Sequence, residues 1–420
     1  MKKSTTYILP LLFLLGACSQ EELPQTPSPD YAAGVITFQS PYTVTRSAAL
    51  RSGTFQPGDQ VGVLGYCKAS NTVNGTVIDY STSDWNTKKV FSTPDVFYNQ
   101  MLKYTEDGLW TYSWSGTFDD QEVVDELHPW SSNEDDTFSF FAYYPYAKKN
   151  NKGNNVITNS SGEEMGTITL SGEDATGDPT ITYVMPHNDV ADLSSAKKWW
   201  VVPDLMLAYK VDHKKEDGSV KLNFRHLFCA FEFEVNNYNQ EEVIVEDLYL
   251  HGGKLDSSNS KIEEGFYKEV TITGQQSGYD INTENLYVGR FKIVGRDPNS
   301  EKEDKHILVD LTCPAAQDSG QPTTTSIAYD GSPISLLFIP DERGMLTTDD
   351  NESLSMYIKL KIDDKDVEGV RIMNLGNQSF QPGVRSIFSI NVIGNDIYVQ
   401  MRSDGTWEND GDSDSDITFE

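Results

Sequence analysis

Period-two alternation of apolar and polar residues is the feature that most limits what this chain can build. Phe231, Phe233 and Val235 alternate with Glu232 and Glu234, Ile358, Leu360 and Ile362 with Lys359 and Lys361, and Phe388, Ile390 and Val392 with Ser389 and Asn391. Successive side chains of an extended strand point to opposite faces, so each run puts one face on a core and the other in water. Three further runs read as strands: Val35-Ile36-Thr37-Phe38, Val61 to Tyr66 after the turn Pro57-Gly58-Asp59, and the aromatic Phe138 to Tyr144, stopped by Pro145. No long stretch carries a 3.6-residue period; Asp119 to Leu127 and Asp189 to Lys198 read as short helices at most. Many strands separated by Gly, Pro and Asn turns predict an all-β chain of sandwiches.

The start of the chain reads as a leader. Lys2 and Lys3 precede an apolar stretch from Tyr7 to Leu15, closed by Leu15-Gly16-Ala17-Cys18. The stretch is too short to span a bilayer, which needs ~20 apolar residues. A basic start, a short apolar run and small residues before a cysteine form the layout of a bacterial lipoprotein signal over 1–17. Cys18 would then begin the mature protein, acylated on its sulfur and its amine, with several acyl chains holding it to a membrane. An ordinary secretory signal with a coincidental cysteine is the other reading, and Gly16-Ala17 argues against it. Residues 18–34, with Pro24, Pro27 and Pro29, read as an extended tether. The remaining length suits two domains, 35–212 and 213–420, divided at the polar run His213 to Ser219. Glu408 to Asp416 reads as an acidic tail.

Charge and motifs narrow the function. The net charge is −31, and loss of Lys2 and Lys3 with the leader lowers it to −33. Such a surface repels phosphate backbones, so nucleic acid is not an expected partner. There is no Gly-x-Ser-x-Gly, His-Glu-x-x-His, P-loop or dinucleotide fingerprint, and the six histidines show no ligand spacing. No catalytic residue, metal or cofactor is expected. A pair of carboxylates across a cleft stays open as a hydrolase reading, because the chain has 64 acidic residues. Asp410, Asp412, Asp414 and Asp416 alternate like the start of a calcium loop, but the loop glycine is missing and a solvated tail fits better. Trp199-Trp200 and the Trp110, Tyr112, Trp114 alternation suit either sugar stacking or core. Apart from Cys18, the cysteines are Cys67, Cys229 and Cys313, read as three buried thiols or as one bridge with one thiol left over.

Several segments in order resemble one family. They are Ile36-Thr37-Phe38, Thr45-Arg46-Ser47, Phe55-Gln56-Pro57-Gly58-Asp59-Gln60-Val61-Gly62-Val63, Phe138-Ser139-Phe140-Phe141-Ala142-Tyr143-Tyr144-Pro145, Asp204-Leu205-Met206 and Leu222-Asn223-Phe224-Arg225-His226-Leu227. The series is similar to the fimbrillins of Bacteroidetes, subunits and accessory proteins of type V pili. The acidic Glu21-Glu22 close behind Cys18 also resembles the tag that takes some Bacteroidetes lipoproteins to the outer face. The resemblance implies two tandem transthyretin-like β-sandwiches on an outer-membrane lipoprotein. It implies an arginine-specific cut that removes the lipid with the first strand, and refilling of the groove by a strand from another fimbrial subunit. Here the cut would fall after Arg46 or Arg51, releasing Val35, Ile36 and Phe38. The donor would be Ile387 to Val399, inserting Phe388, Ile390, Val392, Ile397 and Val399. That segment reads equally well as the last hairpin of its own domain, turning at Gly394-Asn395-Asp396. The implied role is structural and adhesive, tip or accessory ahead of stalk, with ligands on host or bacterial surfaces. A glycan-binding surface lipoprotein and a membrane-retained pilus anchor are the alternatives.

Overall fold

A computed structural model describes residues 34–39, 55–106, 108–112, 115–118, 121–124, 128–158, 162–186, 191–192, 202–252, 265–274, 287–288, 291–295, 302–318, 320–329, 332–340, 346, 353–374, 380, 382–406 and 416–419. Among these residues nearly every element is a strand, and the one α-helix is the single turn Trp85–Lys88. The all-β expectation holds.

The first sheet runs, in spatial order, Val220–Lys221, Phe38–Gln39, Leu109–Thr111, Phe97–Tyr104, Gln60–Tyr66, Phe138–Tyr144, Met206–His213 and Arg225–His226. All seven residues of Phe138–Tyr144 are buried. Phe138, Phe140, Ala142 and Tyr144 face one core with Ile36, Phe38, Val61, Val63 and Trp110. Phe141 and Tyr143 face a second core with Leu64, Tyr66, Trp85, Leu205 and Leu207. The sheet curls upon itself: Phe38, four strands from Phe140 in the order, has its ring 5.3 Å away. Across the second core lies a second sheet, ordered Lys148–Lys149, Asn155–Thr158, Glu164–Leu170, Thr180–Val184, Glu269–Gly274, Phe291–Gly295 and Tyr287–Val288. Ile168, Ile181, Tyr183 and Ile272 close that core from its side.

Two more sheets enclose the third core. One is ordered Ala191–Asp192, Lys305–Cys313, Val243–Gly252, Ser353–Ile362 and Lys365–Asn374. The other is ordered Thr323–Ser326, Cys229–Asn237, Val384–Ile393, Asp396–Thr406 and Asp416–Phe419, with Leu336–Phe338 also pairing Cys229–Asn237. Alternation fills this core directly: Phe231, Phe233 and Val235 meet Phe388, Ile390 and Val392 along a parallel pair, and Ile358 and Leu360 meet them from the facing sheet.

Sheet membership does not divide at residue 213. Val220–Lys221 and Arg225–His226 belong to the first sheet and Glu269–Gly274 to the second, while Ala191–Asp192 joins the third. The segment expected as a helix near Asp119 contains the strand Gln121–Val124, paired with Ser115–Phe118, and Ala191–Asp192 is extended too. β-Branched Val123 and Val124 favour an extended chain once a partner strand is beside them. Among the described residues Cys67, Cys229 and Cys313 are buried and form no disulfide. Burial pushes the Cys67 thiol up to about 12 and that of Cys313 up to about 11, which keeps both protonated and unreactive.

Two segments of the family-like series meet where the chain leaves the first sheet. Met206 pairs with His226 and Leu207 with Arg225, and Leu227 N donates to Leu205 O at 2.9 Å. Beneath that pairing the His226 Nδ1 lies 2.5 Å from Asp204 Oδ2, with both side chains buried. Removing one partner of such a pair strands a buried polar group, at about 3–5 kcal/mol. His226→Leu is therefore expected to lower the thermal midpoint sharply, while the double variant Asp204→Leu/His226→Leu recovers part of the loss. Scanning calorimetry of the three proteins checks both.

Candidate assembly site around the first strand

Ile36 and Phe38 are almost wholly buried, at 0% and 1% exposure, although they sit near one end of the described chain. Phe38–Gln39 lies between two strands, antiparallel to Leu109–Thr111 and parallel to Val220–Lys221. Just before it, Val35 bridges Pro129. The Phe38 ring sits in an aromatic cage, with centroids at 5.3 Å from Phe140, 5.8 Å from Phe97 and 6.2 Å from Tyr112. Burial of that ring is worth ~3 kcal/mol relative to exposure.

Backbone bonds hold the segment on both sides. Ile36 N donates to His128 O at 2.9 Å, and Trp130 N donates to Gly34 O at 3.0 Å. Val220 N donates to Thr37 O at 2.8 Å, and Leu222 N donates to Gln39 O at 3.1 Å. The Thr37 and Ser219 hydroxyls lie 2.6 Å apart. Tyr112 acts as a latch: its Oη donates to Ile36 O at 2.8 Å and accepts from His128 N at 3.0 Å. Burial holds this phenol above its ordinary value, at about 12.

The chain re-enters the described structure at Phe55, buried against Trp110 at 4.9 Å, Phe224 at 5.2 Å and Tyr144 at 5.4 Å. The expected cleavage residues Arg46 and Arg51 lie in 40–54, outside the described residues, as does Cys18. The segment that holds both arginines is thus bounded by two buried anchors, Phe38 on one side and Phe55 on the other. Covalent continuity between those anchors runs only through 40–54, and a cut there leaves Phe55 with the body.

The expected donor residues come together elsewhere. Phe388, Ile390, Val392, Ile397 and Val399 all lie in the third core, at 0–2% exposure. Val384–Ile393 is flanked on both sides, by Cys229–Asn237 and Asp396–Thr406, and the hairpin turns at residues 394–395. Trp110 and Tyr112 are core residues with no exposed ring for a sugar; Trp114, Trp199 and Trp200 lie outside the described residues. Among the described residues no cluster of three or more His, Cys, Asp or Glu could hold a metal ion. Two residues of the site carried no sequence signal, Tyr112 as a latch and His128 as its partner. Their roles depend on strands that are remote in sequence.

A family model described as fimbrillin-like matches residues 45–403. The chain belongs to that family. The fimbrium subunit Fim1C of Phocaeicola vulgatus is 26% identical over 271 residues, 62% of this chain and 59% of that protein. The match thus spans less than two thirds of the relative's length. A solved Bacteroides ovatus structure, described as a cell adhesion protein, covers 87% of this chain and 94% of its own, at 12% identity and TM-score 0.41. The tip fimbrial protein Mfa3 of Porphyromonas gingivalis covers 88% and 97%, at 8% identity and TM-score 0.30. Membership places the fimbrillin-like chain among structural fimbrial and adhesin proteins rather than enzymes.

Phe38→Ala removes the ring from its cage and is expected to cost about 3–5 kcal/mol, read as a shift in the urea midpoint. Tyr112→Phe should cost about 1 kcal/mol at neutral pH. The folded phenol holds its proton more tightly than the unfolded one, whose value is near 10. Its contribution is complete below about pH 10 and lost as pH rises through about 12. Between those values the wild type should therefore lose stability more steeply than Tyr112→Phe.

Proposed function

We propose that this fimbrillin-like chain is a fimbrial subunit, exported as a lipoprotein on Cys18 and joined to its neighbours by exchange of the first strand. A cut after Arg46 or Arg51 frees the segment containing Val35, Ile36 and Phe38 from the body. Its departure would leave Val220 N and Leu222 N without acceptors and open the cage of Phe97, Tyr112 and Phe140 to water. Unpaired strand edges beside exposed apolar pockets favour an incoming strand.

One observation supports this reading above the rest. The tripeptide Ile36-Thr37-Phe38 recurs as Ile417-Thr418-Phe419, and Gln39 is matched in shape by Glu420. A strand with the same residues in the same alternation offers the same side chains to the same pockets. In backbone terms Asp416–Phe419 lies antiparallel along Asp396–Thr406, with Val399 opposite Phe419 and Met401 opposite Ile417. It stands at the sheet margin, paired on one side among the described residues, and its departure would leave Val384–Ile393 in place. Withdrawing the Ile387 to Val399 hairpin would instead empty the third core of five apolar side chains. Asp416–Phe419 is the better donor on that ground. A strand that copies the one it replaces favours a repeating link over the tip or accessory role that the resemblance first implied.

Mass spectrometry of protein from native envelopes tests the processing step. A mature end at Ser47 or Ser52 is expected, whereas uniformly acylated Cys18 would make the chain a retained anchor. A synthetic peptide spanning 412–420 should bind the cut protein after its first strand is released. Substituting its Phe419 by Ala should weaken binding more than 100-fold, the equivalent of about 3 kcal/mol.

A further inference from the structure

The two-stranded ribbon Ser70–Val73 with Thr76–Asp79 stands apart from the four main sheets. Among the described residues its strands pair only with each other, Thr72 opposite Val77 and Val73 opposite Thr76, around a tight turn in which Asn74 and Gly75 both have positive φ (51° and 79°). That turn type matches the twist of a two-residue hairpin. An isolated ribbon is marginal in water on its own. All four residues of Thr76–Asp79 are exposed, Val77 at 67%. Of the six exposed large hydrophobics among the described residues, four belong here: Val73, Val77, Ile78 and, on the neighbouring turn, Val90 at 56%. The ribbon's base is tied to that turn by the Ala69–Ser92 bridge and by Tyr80 stacked on Phe91 at 4.7 Å.

The charge pattern favours a second copy of this chain as the cover of this surface. From Ala69 to Ile78 no residue is charged, in a chain of net charge −31. Two copies of so acidic a molecule repel over most of their surfaces, and contact is least opposed where charge is absent. The uncharged, β-branched run Thr76-Val77-Ile78 lies on a strand whose other edge has no partner among the described residues, an open template for pairing. We propose that Thr76–Asp79 is a contact between two copies of this chain, pairing antiparallel across a twofold axis to make a four-stranded sheet. In that arrangement Val77 of each copy lies opposite Val77 of the other, and Thr76 opposite Ile78. The two Asp79 carboxylates then sit at opposite ends of the pairing. A twofold contact uses the same patch on both copies and closes upon itself, so it links molecules side to side rather than end to end. It is independent of the first strand and needs no cleavage.

Sedimentation of the uncleaved full chain in mild detergent tests the contact. The wild type is expected to shift from monomer to dimer as concentration rises. Val77→Lys/Ile78→Lys should remain monomeric with an unchanged melting temperature, because both positions are exposed. Ile393→Lys, at an exposed apolar position away from the ribbon, should dimerise as the wild type does. With Cys67, Cys229 and Cys313 buried, Val77→Cys/Ile78→Cys should form a disulfide-linked dimer on mild oxidation. A wild type that stays monomeric would overturn the proposal. So would a doubly lysine-substituted protein that still dimerises, an Ile393→Lys protein that does not, or failure of the cysteine pair to cross-link.

Discussion

Phe138–Tyr144 runs through the middle of the first sheet with both of its faces covered, and much of the N-terminal architecture follows from that burial. Its even-numbered side chains close one core and Phe141 and Tyr143 a second, so two layers of protein must lie against one strand. The second sheet supplies one layer. The first sheet supplies the other by curling until the Phe38 ring packs on Phe140, in one core with Val220 and Ala142. Tight packing on both sides leaves little slack. At Gly62 even a β-carbon would come 2.4 Å from the Tyr143 ring, so a close strand approach requires glycine there.

That curl explains why so short a first strand matters. Phe38–Gln39 has only two residues in regular pairing, yet it fills the gap between Leu109–Thr111 and Val220–Lys221. Its strength comes from cage, latch and ladder acting together, while its link to the rest of the body passes through 40–54. The recurrence of Ile-Thr-Phe supplies an equivalent within the same chain. The Ser70–Asp79 ribbon lies on a different surface from the first strand, so the proposed lateral contact does not involve the proposed exchange.

The family-like segments differ in what they do physically. Pro57-Gly58-Asp59 is a turn in which Gly58 takes φ of 100°, a conformation costly for any other residue, while Gln56 N donates to Asp59 Oδ2 at 2.5 Å. Asp204 and His226 form a buried polar contact between strands paired across 20 residues of sequence. Lys88 is buried too, donating to the carbonyls of Cys67, Ser81 and Thr137. Burial lowers its pKa, yet these acceptors satisfy the ammonium. Such groups hold loops to the first sheet where apolar contact alone would let them slide.

Local pattern was enough to identify the strands with clear alternation, though not Gln121–Val124 or Ala191–Asp192, where the sequence reads as short helices. The alternation at Phe231, Ile358 and Phe388 fell within Cys229–Asn237, Ser353–Ile362 and Val384–Ile393, and the aromatic run became Phe138–Tyr144 without change of bounds. The apolar alternation of the first strand was legible for the same reason, whereas the sequence leaves open whether two of the three cysteines form a bridge. Strand order was not legible, because hydrogen-bonded partners are chosen by closure of the whole core rather than by neighbours in sequence. Only the tertiary structure could carry Val220–Lys221 back to Phe38–Gln39 and Ala191–Asp192 forward to Lys305–Cys313, pairings that span the polar run His213 to Ser219. Only it could turn Tyr112 into a latch on Ile36 and leave the Ser70–Asp79 ribbon outside the four main sheets. Alternation says which face of a strand is apolar; packing decides what that face meets.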